Sequence, residues 1–432
     1  TLNRSGSVKL AATRLGKDSV LQQIIELVQR AQSSKAPVQR LADKIAAVFV
    51  PGMIALAAGV FCLWFFALAP GDWDRAINCL CSMLVIACPC ALGLATPTAI
   101  MVGTGRAAEL GVLFRNGAAI ENCWRTGAVV FDKTGTLTWG QPEVTVLLPC
   151  GVTSPQELAV CAAAVERLSE HPVAQAVCRG AAFGCAGMLP PELTDFENLP
   201  GLGVTGKTDG ETLAAGSREL MARLGVDISP LAALPDIRNQ AKTEVCVARG
   251  GKLLGVIGVA DRLRPDAAET VRRLKKLGVE LWLITGDNER TAQAVAAECG
   301  IEHVLSGVLP ENKAEKVREL QSRGLKLAMV GDGINDAPAL AAADTAIAMG
   351  GGTDVAIESS DITLLGVRLS AVPDALAVSR ATMGAIRLNL AWALLYNVLS
   401  VGAAAFGVVN PSMAAAAMSL SSIAVLMNSL RL

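Results

Sequence analysis

The chain has 432 residues, of which 52% are hydrophobic and 18% are charged, and its formal net charge is -1. This composition is too apolar for an ordinary soluble enzyme and too mixed for a pure membrane bundle, so we expect membrane helices joined to a globular part. The balanced charge and the lack of a Lys/Arg block argue against a nucleic-acid partner, because phosphate backbones are bound by concentrated positive charge.

Two apolar segments near the start of the chain predict a hairpin of membrane helices. A helix needs about 20 apolar residues to cross a bilayer. Residues 36–69 and residues 76–105 are both long enough, and the polar turn 70–75 separates them. Ahead of them, residues 18–30 show helical apolar spacing after the candidate N-cap Asp18, which predicts a helix that leads into the membrane.

The second span carries Cys88 and Cys90 on either side of Pro89. A proline inside a helix removes a hydrogen bond and frees carbonyl groups, which lets both flanking side chains point inward. Two thiolates held in this way suit a soft, low-coordinate ion such as Cu(I) or Ag(I). A single membrane cysteine is more often a packing residue, but the intervening proline favours a metal site. The twelve cysteines are scattered, so we expect reduced thiols rather than a disulfide framework.

The other end of the chain predicts a second membrane hairpin. Residues 373–409 and 411–432 form its helices, and Asn410-Pro411 supplies the turn. The following basic residues flank one side of the two hairpins: Lys35, Arg40, Lys44, Arg106, Arg115, Arg380, Arg387 and Arg431. The positive-inside rule therefore predicts a multi-pass protein whose central region is cytoplasmic. The expected location is a bacterial plasma membrane.

Three short apolar runs in that central region each end in a loop that carries aspartate. The runs cover residues 128–131, 281–284 and 327–330, and amphipathic stretches cover 265–277, 289–299 and 312–321. Short apolar runs of this kind are typical of strands buried on both faces, and the amphipathic stretches predict helices. Ligands of a doubly wound sheet gather at the carboxyl ends of its strands, so the three loops are expected to form one site.

The loops contribute four aspartates to this site: Asp132, Asp287, Asp332 and Asp336. Such a cluster without His or Cys suits Mg²⁺ rather than zinc, and its like charges require a positive partner. Donors from Thr134, Thr285 and Lys313 would complete the groups that phosphoryl transfer needs. One such loop could simply cap a helix, but three at successive strand ends favour chemistry.

Three motifs in this order resemble those of the P-type ATPases: Asp-Lys-Thr-Gly-Thr at 132–136, Thr-Gly-Asp at 285–287 and Gly-Asp-Gly-Ile-Asn-Asp-Ala-Pro at 331–338. The Cys-Pro-Cys motif at 88–90 resembles the heavy-metal subgroup. The resemblance implies membrane α-helical hairpins plus a cytosolic α/β haloacid dehalogenase-like domain with an inserted α+β nucleotide-binding domain. It implies that Asp132 becomes aspartyl-phosphate and that Asp132, Thr134 and Asp332 hold Mg²⁺. The remaining catalytic residues that it implies are Lys133, Thr285, Gly286, Asp287, Lys313, Asn335 and Asp336.

The inserted domain is expected over residues 147–258. Its resemblance to the heavy-metal pumps implies that four residues surround the adenine and ribose of ATP: Glu170, His171, Gly201 and Gly203. Where the family commonly has Gly-Asn, this chain has Gly216-Ser217, whose shorter side chain alters that contact.

Part of this domain also satisfies the Walker A pattern, over Gly201–Thr208. A P-loop must open a helix so that helix amides hold the phosphates. Here Asp209-Gly210 follows between two alternating runs, which predicts a hairpin turn instead. We therefore reject a P-loop.

The resemblance also bears on the transported ion. The signature of the monovalent copper group resembles Tyr396-Asn397 together with Met418 and Ser422. The resemblance implies that these residues bind the ion beside the two cysteines. It also implies export of Cu(I), with Ag(I) as a second candidate. A Zn(II) or Cd(II) pump needs a carboxylate to offset the divalent charge, and residues 388–430 contain none. That pump remains an alternative, as does a metal-binding membrane protein with a non-catalytic domain.

The same resemblance divides the rest of the chain. Residues 1–35 correspond to the end of an actuator domain and a linker helix, and residues 106–146 and 259–372 to the two parts of the phosphorylation domain. The actuator loop Thr-Gly-Glu is not in the sequence, so we expect a fragment that binds nucleotide and metal without completing a transport cycle. The expected partners are membrane lipid, ATP and a cytosolic copper chaperone.

Two further residues near the membrane carry hypotheses of their own. Asp43 is either a ligand on the cytosolic approach of the ion or an interfacial charge paired with Lys44. Cys81 precedes Cys88 by about two helical turns, which makes it a candidate relay ligand on the exit route.

Overall fold

The computed structural model describes residues 29, 31, 34, 36–88, 90–169, 171–184, 191–199, 201–235, 237, 242–332, 336–350, 360–366 and 368–432. Apart from residue 29, the helix predicted over 18–30 lies outside these residues, as do the predicted site residues Glu170 and Asn335. The described residues of 127–343 form one compact unit, here the globular unit. Those of 1–126, 344–350 and 357–432 form the other, here the membrane unit.

Helices and strands follow one another along the described part of the chain. In order they are α1 (Pro37–Leu63, continued by a π-helical turn over Trp64–Leu68), α2 (Trp73–Ile86), α3 (Cys90–Glu109), β1 (Val112–Phe114), α4 (Gly117–Trp124), β2 (Ala128–Asp132), β3 (Thr138–Pro149), α5 (Pro155–Glu166), α6 (Pro172–Gly184), β4 (Thr194–Leu199), β5 (Gly203–Thr208), β6 (Glu211–Gly216) and α7 (Arg218–Arg223). They continue with β7 (Thr243–Arg249), β8 (Lys252–Leu263), α8 (Ala267–Lys276), β9 (Glu280–Ile284), α9 (Glu289–Cys299), β10 (His303–Leu305), α10 (Pro310–Ser322), β11 (Leu327–Gly331), α11 (Ala337–Ala342), β12 (Thr345–Ala348), β13 (Ile362–Leu364), α12 (Ala371–Ala405) and α13 (Pro411–Ser429).

The membrane unit contains, among the described residues, four helical segments that are long and apolar enough to cross a membrane: α1 with its π-helical turn, α2 together with α3, α12, and α13. Large apolar side chains such as Leu56, Phe66, Leu395 and Ile423 are exposed on their surfaces. A soluble protein rarely exposes so much contiguous apolar surface, whereas a lipid-facing helix must. The predicted membrane hairpins are thus confirmed.

The second predicted span differs from the expected single helix. α2 ends at Ile86 and α3 begins at Cys90, so two helices replace it. The interruption coincides with Pro89 of the sequence, and proline has no N–H to donate and disfavours helical geometry in the residue before it. Two other prolines do not end a helix: Pro51 lies inside α1 and Pro97 lies inside α3.

Amide and hydroxyl groups connect three of the membrane helices. Asn428 Nδ2 of α13 donates to Asn389 Oδ1 of α12 at 2.8 Å, and Asn389 Nδ2 donates to Ser429 Oγ of α13 at 2.9 Å. The hydroxyl of Ser429 lies 3.3 Å from that of Thr98 on α3. Asn389 and Ser429 are buried, so the described hydrogen bonds satisfy groups that lipid could not.

The globular unit contains a parallel sheet in which the strands run in the order β10-β9-β2-β11. Every residue of β2 and β11 is buried, as predicted for strands covered on both faces. Asp132 pairs with Ile284 of β9, and Phe131 pairs with Val330 of β11, so the three acidic loops leave the sheet at one edge. The three predicted strands and the helices between them, α8, α9 and α10, are confirmed.

A second sheet of the globular unit is antiparallel, with strand order β3-β8-β7-β6-β5-β4. Its core includes Leu158, Val165, Leu213, Val247 and Ile257, which pack α5 against the strands. β5 and β6 form a hairpin whose turn, Asp209-Gly210, has positive φ at both residues (52° and 79°). The Walker A match therefore lies on a strand, and the rejection of a P-loop is confirmed.

Candidate active site

A buried lysine bridges two aspartates at the carboxyl edge of the parallel sheet. Asp132 is the last residue of β2, and Asp336 precedes α11. Lys313 Nζ, from the start of α10, donates to Asp132 Oδ1 and to Asp336 Oδ1, each at 2.6 Å. The three residues are 5%, 6% and 1% exposed in the order Asp132, Lys313, Asp336. Charges this deeply buried are tolerated only when paired, so the triad fixes the position of Asp132.

Burial controls the protonation of this triad. Burial raises the pKa of Asp132 to about 7, the charge of Asp336 adds to that increase, and Lys313 opposes it. Burial also raises the pKa of Asp336, again against the influence of Lys313. Burial lowers the pKa of the Lys313 ammonium, but the two carboxylates outweigh it and the net pKa lies above the ordinary value. One ammonium facing two carboxylates leaves the cluster short of positive charge.

The loop after β2 presents the predicted Mg²⁺ ligands. Thr134 is exposed, and Gly135 adopts a left-handed φ of 74°. A Cβ at Gly135 would lie 2.5 Å from Asp332 Oδ2, so the side chain of Asp332 packs directly against this loop. The charge of Asp332 also contributes to the raised pKa of Asp132. A glycine is required here both by the backbone angle and by the close approach of the carboxylate.

The loop after β9 contributes the second motif. Thr285 is buried, and its Oγ1 accepts a hydrogen bond from the N–H of Asp287 at 3.1 Å, while Gly286 is exposed. Asp287 Oδ2 lies 2.5 Å from Lys133 Nζ in an ion pair. Lys133 and Asp287 therefore bind each other, and this pair connects the loops that follow β2 and β9.

Sequence reasoning missed Arg264, which holds the loop after β2 through two backbone carbonyls. Its guanidinium donates from Nε to the carbonyl of Thr136 and from Nη2 to that of Gly135, both at 2.8 Å, and lies 4.6 Å from the ring centroid of Trp139. Asp261 accepts from Thr138 Oγ1 at 2.5 Å nearby. The sequence signal for Arg264 is an Arg-Pro step directly after a strand.

Beside the antiparallel sheet lies a cavity of about 500 Å³, which we name the nucleotide cavity because its lining includes residues that are predicted to bind ATP. Its lining includes three predicted residues, His171, Gly201 and Gly203, and also Ser217, whose Oγ accepts from the N–H of Leu220. A Cβ at Gly203 would lie 2.3 Å from the carbonyl oxygen of Ala215, so only glycine fits there.

Sequence reasoning also missed Glu166, which lines the nucleotide cavity at the end of α5. Glu166 is 6% exposed, and burial raises its pKa to about 7. The sequence signal for Glu166 is a single carboxylate directly after the apolar run Leu158–Val165.

The predicted membrane site residues lie on three helices that pack together. Tyr396 and Asn397 belong to α12 and Met418 and Ser422 to α13, and both helices contact α3, which begins at Cys90. Asn397 is buried, the hydroxyl of Tyr396 is buried without a hydrogen-bond partner among the described residues, and Ser422 Oγ donates to the carbonyl of Met418 at 3.2 Å.

The two cysteines differ from the expectation of reduced thiols. A disulfide joins Cys88 to Cys90, whose Cα atoms are 5.5 Å apart. With one residue between them and no regular helix at Cys88, the two side chains come within bonding distance, and such a pair closes or opens with the redox conditions. The hypothesis of two thiolate ligands therefore refers to the reduced form.

A parallel sheet whose carboxyl edge carries these acidic loops defines the haloacid dehalogenase-like class, and a family model described as a haloacid dehalogenase-like hydrolase matches residues 126–344. The copper-exporting P-type ATPase of Bacillus subtilis is 46% identical over 100% of this chain and 54% of its own length. Copper-transporting ATPase 1 of Rhizobium meliloti is 44% identical over 100% of this chain and 53% of its own length.

A solved structure supports the same relationship. The crystal structure of a zinc-transporting PIB-type ATPase in the E2.Pi state superposes with a TM-score of 0.80 at 36% identity, over 96% of this chain and 67% of that one. The chain belongs to the heavy-metal P-type ATPases. It spans about half the length of the curated relatives that it matches.

Proposed function

We propose that the chain is part of an ATP-driven exporter of monovalent copper that works through an aspartyl-phosphate at Asp132. Ag(I) is a second candidate ion. The observation that carries the proposal is the buried ion pair between Lys313 and Asp132 at the carboxyl edge of the parallel sheet. A buried carboxylate that is paired with a lysine at the end of a strand suits a nucleophile, whereas metal binding alone does not require this arrangement.

The proposed phosphoryl transfer uses Asp132 as the nucleophile. Because Lys313 binds Oδ1, Oδ2 is the oxygen that attacks the γ-phosphorus of ATP. A C–O–P linkage forms at Asp132, the bond between the γ-phosphorus and the bridging oxygen breaks, and ADP leaves with the electron pair. Lys313, Thr285 and Gly286 would supply positive charge or donors to the phosphoryl oxygens. Lys133, Asp287, Asn335 and Asp336 would complete the site.

The residues around Asp132 fit Mg²⁺. The triad has one ammonium for two carboxylates, and Asp336 Oδ2 is buried without a hydrogen-bond partner among the described residues. Asp132, Thr134 and Asp332 would hold Mg²⁺, which would offset the charge of the phosphate when bound.

ATP is proposed to bind with its base in the nucleotide cavity, against His171, Gly201, Gly203 and Glu170. Glycines allow the purine to approach the backbone, and a His–Glu pair can hydrogen-bond its edge. Glu166 adds a buried carboxyl to this set, because its neutral form can donate a hydrogen bond to a ring nitrogen.

The transported ion is proposed to bind Cys88 and Cys90 in their reduced form, with Tyr396, Asn397, Met418 and Ser422 as further ligands. The absence of any charged side chain from residues 388–430 supports a monovalent ion. The names of the copper relatives support it too, and a cytosolic copper chaperone would be the donor. The zinc-transporting structural neighbour favours Zn(II) or Cd(II) as the second candidate.

The direct test of the aspartyl-phosphate is transfer of label from γ-³²P-ATP to the detergent-solubilised chain with Mg²⁺, followed by acid quenching. We expect an acid-stable, hydroxylamine-sensitive label in the wild type and none in Asp132→Asn. Lys316→Gln, an exposed change on the same helix as Lys313, serves as a control that should label normally. Label that persists in Asp132→Asn would refute the assignment, and an unlabelled wild type would favour a non-catalytic metal-binding protein.

A further inference from the structure

A group of cationic and aromatic side chains lies in the membrane unit where α4 meets α12. The guanidinium carbon of Arg387, on α12, lies 5.1 Å from the ring centroid of Trp124, the last residue of α4. The guanidinium carbon of Arg125 lies 5.8 Å from the same centroid. Two positive charges therefore face one indole, and we name these three residues the arginine–tryptophan cluster.

The arginine–tryptophan cluster has more positive than negative charge around it. Glu121 is ion-paired with Arg125 at 2.6 Å, and its other oxygen accepts from the N–H of Val38 at 2.9 Å. Arg387 is exposed and forms no ion pair with any of the described residues. Two guanidinium groups thus have one carboxylate between them, and both of its oxygens are already engaged. An anion beside Arg387 would balance the remaining charge.

Contacts on two sides hold α4 in place beneath this charge. The buried hydroxyl of Ser379, on α12, donates to the carbonyl of Ile120 on α4. The bond from the Val38 N–H to Glu121 joins α4 to the start of α1. Trp124 and its two arginines therefore have a position that the packing of the helices fixes before any ligand binds.

An exposed apolar face of α12 begins at the residue after Arg387. Leu388, Trp392, Leu395 and Leu399 are spaced by four, three and four positions, which places them on one face of the helix, here the apolar stripe. They are 61%, 50%, 54% and 65% exposed. At 1.5 Å per residue the apolar stripe is about 16 Å long, close to half of the roughly 30 Å hydrocarbon core of a bilayer. It therefore matches the depth of one leaflet.

The cluster and the stripe together fit a single anionic phospholipid. A helical side chain points toward the start of its helix, so the Arg387 guanidinium is directed out of the apolar core, toward the level of the headgroups. Guanidinium groups bind phosphate through two parallel hydrogen bonds. A zwitterionic lipid has no net charge to offset that of Arg387, and its ammonium would meet a ring that two guanidinium groups already face. The charge balance therefore favours an anionic headgroup.

We propose that Arg387, Arg125 and Trp124 bind the phosphate of an anionic phospholipid in the cytoplasmic leaflet, and that an acyl chain of this lipid lies along the apolar stripe. Arg387 is the main ligand of the phosphate, because Arg125 is already paired with Glu121. The proposal does not depend on the transported ion or on phosphorylation. It places a lipid on α4, which is followed along the chain by the strand that ends at Asp132.

The experiment is titration of the detergent-solubilised chain with phosphatidylglycerol or phosphatidylcholine in mixed micelles, with native mass spectrometry to count the bound lipids. Arg387→Gln should bind the first phosphatidylglycerol about tenfold more weakly, as expected for loss of a charge-assisted bond to phosphate, and phosphatidylcholine equally well. Arg387→Lys keeps the charge without the planar fork and should lose less. Arg431→Gln is the matched control, since it removes the same charge from an exposed position just after α13, and it should bind like the wild type.

Four outcomes would overturn the lipid site. Unchanged binding of phosphatidylglycerol by Arg387→Gln would show that this side chain is not a ligand. Equal weakening in Arg387→Gln and Arg431→Gln would mean that only the general positive charge of the cytoplasmic face attracts the lipid. Displacement of the lipid by millimolar inorganic phosphate would identify the site as one for soluble phosphate. Selectivity for phosphatidylglycerol that disappears in the full-length protein would show that another protein segment covers the apolar stripe.

Discussion

The two units stabilise buried polar groups by different means. In the globular unit, Lys313 is enclosed with two carboxylates, and each group depends on the charge of the others. In the membrane helices, Asn389 and Ser429 are joined by neutral amide and hydroxyl groups, and residues 388–430 carry no charge at all. Full charges are thus buried together at the candidate active site, whereas neutral hydrogen bonds join the membrane helices.

The contrast predicts the largest loss for Lys313→Met. Two buried carboxylates would then face each other without a cation, which is expected to lower the free energy of unfolding by about 3 to 5 kcal/mol. Phosphorylation should fall at least about 100-fold, because the charge on the phosphoryl oxygens is also lost. Thermal unfolding and labelling with γ-³²P-ATP measure the two effects. Lys316→Met, on the exposed side of α10, is the control, and equal behaviour of the two variants would refute a special role for Lys313.

Glu166→Gln tests a buried carboxyl that forms no ion pair with any of the described residues. The folded pKa, about 7, is above the ordinary 4.5, so the folded state binds more protons than the unfolded state between these values. Stability is therefore lost as the pH rises from about 4.5 to about 7, and the amide should recover up to about 3 kcal/mol above pH 7.

The measurement for Glu166 is the melting temperature of the nucleotide-free chain at pH 5 and pH 8. Glu157→Gln at the exposed start of the same helix is the control. A gain for Glu166→Gln that is the same at both pH values would contradict the raised pKa.

Arg264→Lys should lower stability by less than Lys313→Met and by more than Asn389→Ala. Lysine cannot donate to two carbonyls with a planar fork, so the loop around Gly135 and Thr136 should loosen at a cost of about 2 kcal/mol. Hydrogen exchange of residues 133–138 should accelerate, and labelling of Asp132 should slow. Arg262→Lys, whose ion pair with Glu143 is exposed, should change neither quantity. Unchanged exchange in Arg264→Lys would show that other contacts hold the loop.

Asn389→Ala should have the smallest effect, about 1 kcal/mol, because neutral hydrogen bonds between membrane helices are individually weak. A double-mutant cycle with Asn428→Ala measures the coupling, using unfolding in detergent or lipid nanodiscs. We expect the two changes to be less than additive, since they share one hydrogen bond. Strict additivity would mean that the two amides do not interact. A loss of stability as large as that of Lys313→Met would contradict the expectation that neutral hydrogen bonds contribute less than the buried charges.

The sequence predicted the elements whose signal is local. The strand that ends at Asp132 and the hairpin turn at Asp209-Gly210 follow from buried runs and turn chemistry, and both are confirmed. The membrane hairpins follow from the length of the apolar segments. The convergence of Asp132 and Asp336 on Lys313 follows from the rule that ligands gather at the carboxyl ends of parallel strands.

Contacts between distant segments were harder to predict. Arg264 reaches carbonyl groups more than 120 residues earlier in the chain, and a backbone acceptor has no side chain that marks it in the sequence. Glu166 is the last residue of an Ala-rich helix, and nothing in the sequence of that helix marks the burial of its side chain. The bond between Cys88 and Cys90 depends on redox state, which residue spacing does not encode.

The most direct test is whether the proposed phosphorylation of Asp132 responds to metal. The chain would be labelled with γ-³²P-ATP under reducing conditions, with Cu(I), Ag(I), Zn(II) or a chelator, and compared with Cys88→Ala and Cys90→Ala. We predict that Cu(I) or Ag(I) changes the amount of label in the wild type, that Zn(II) does not, and that both cysteine variants lose the response. A response to Zn(II) alone, or label that is indifferent to every metal, would contradict the claim that this chain couples aspartyl phosphorylation to a monovalent ion.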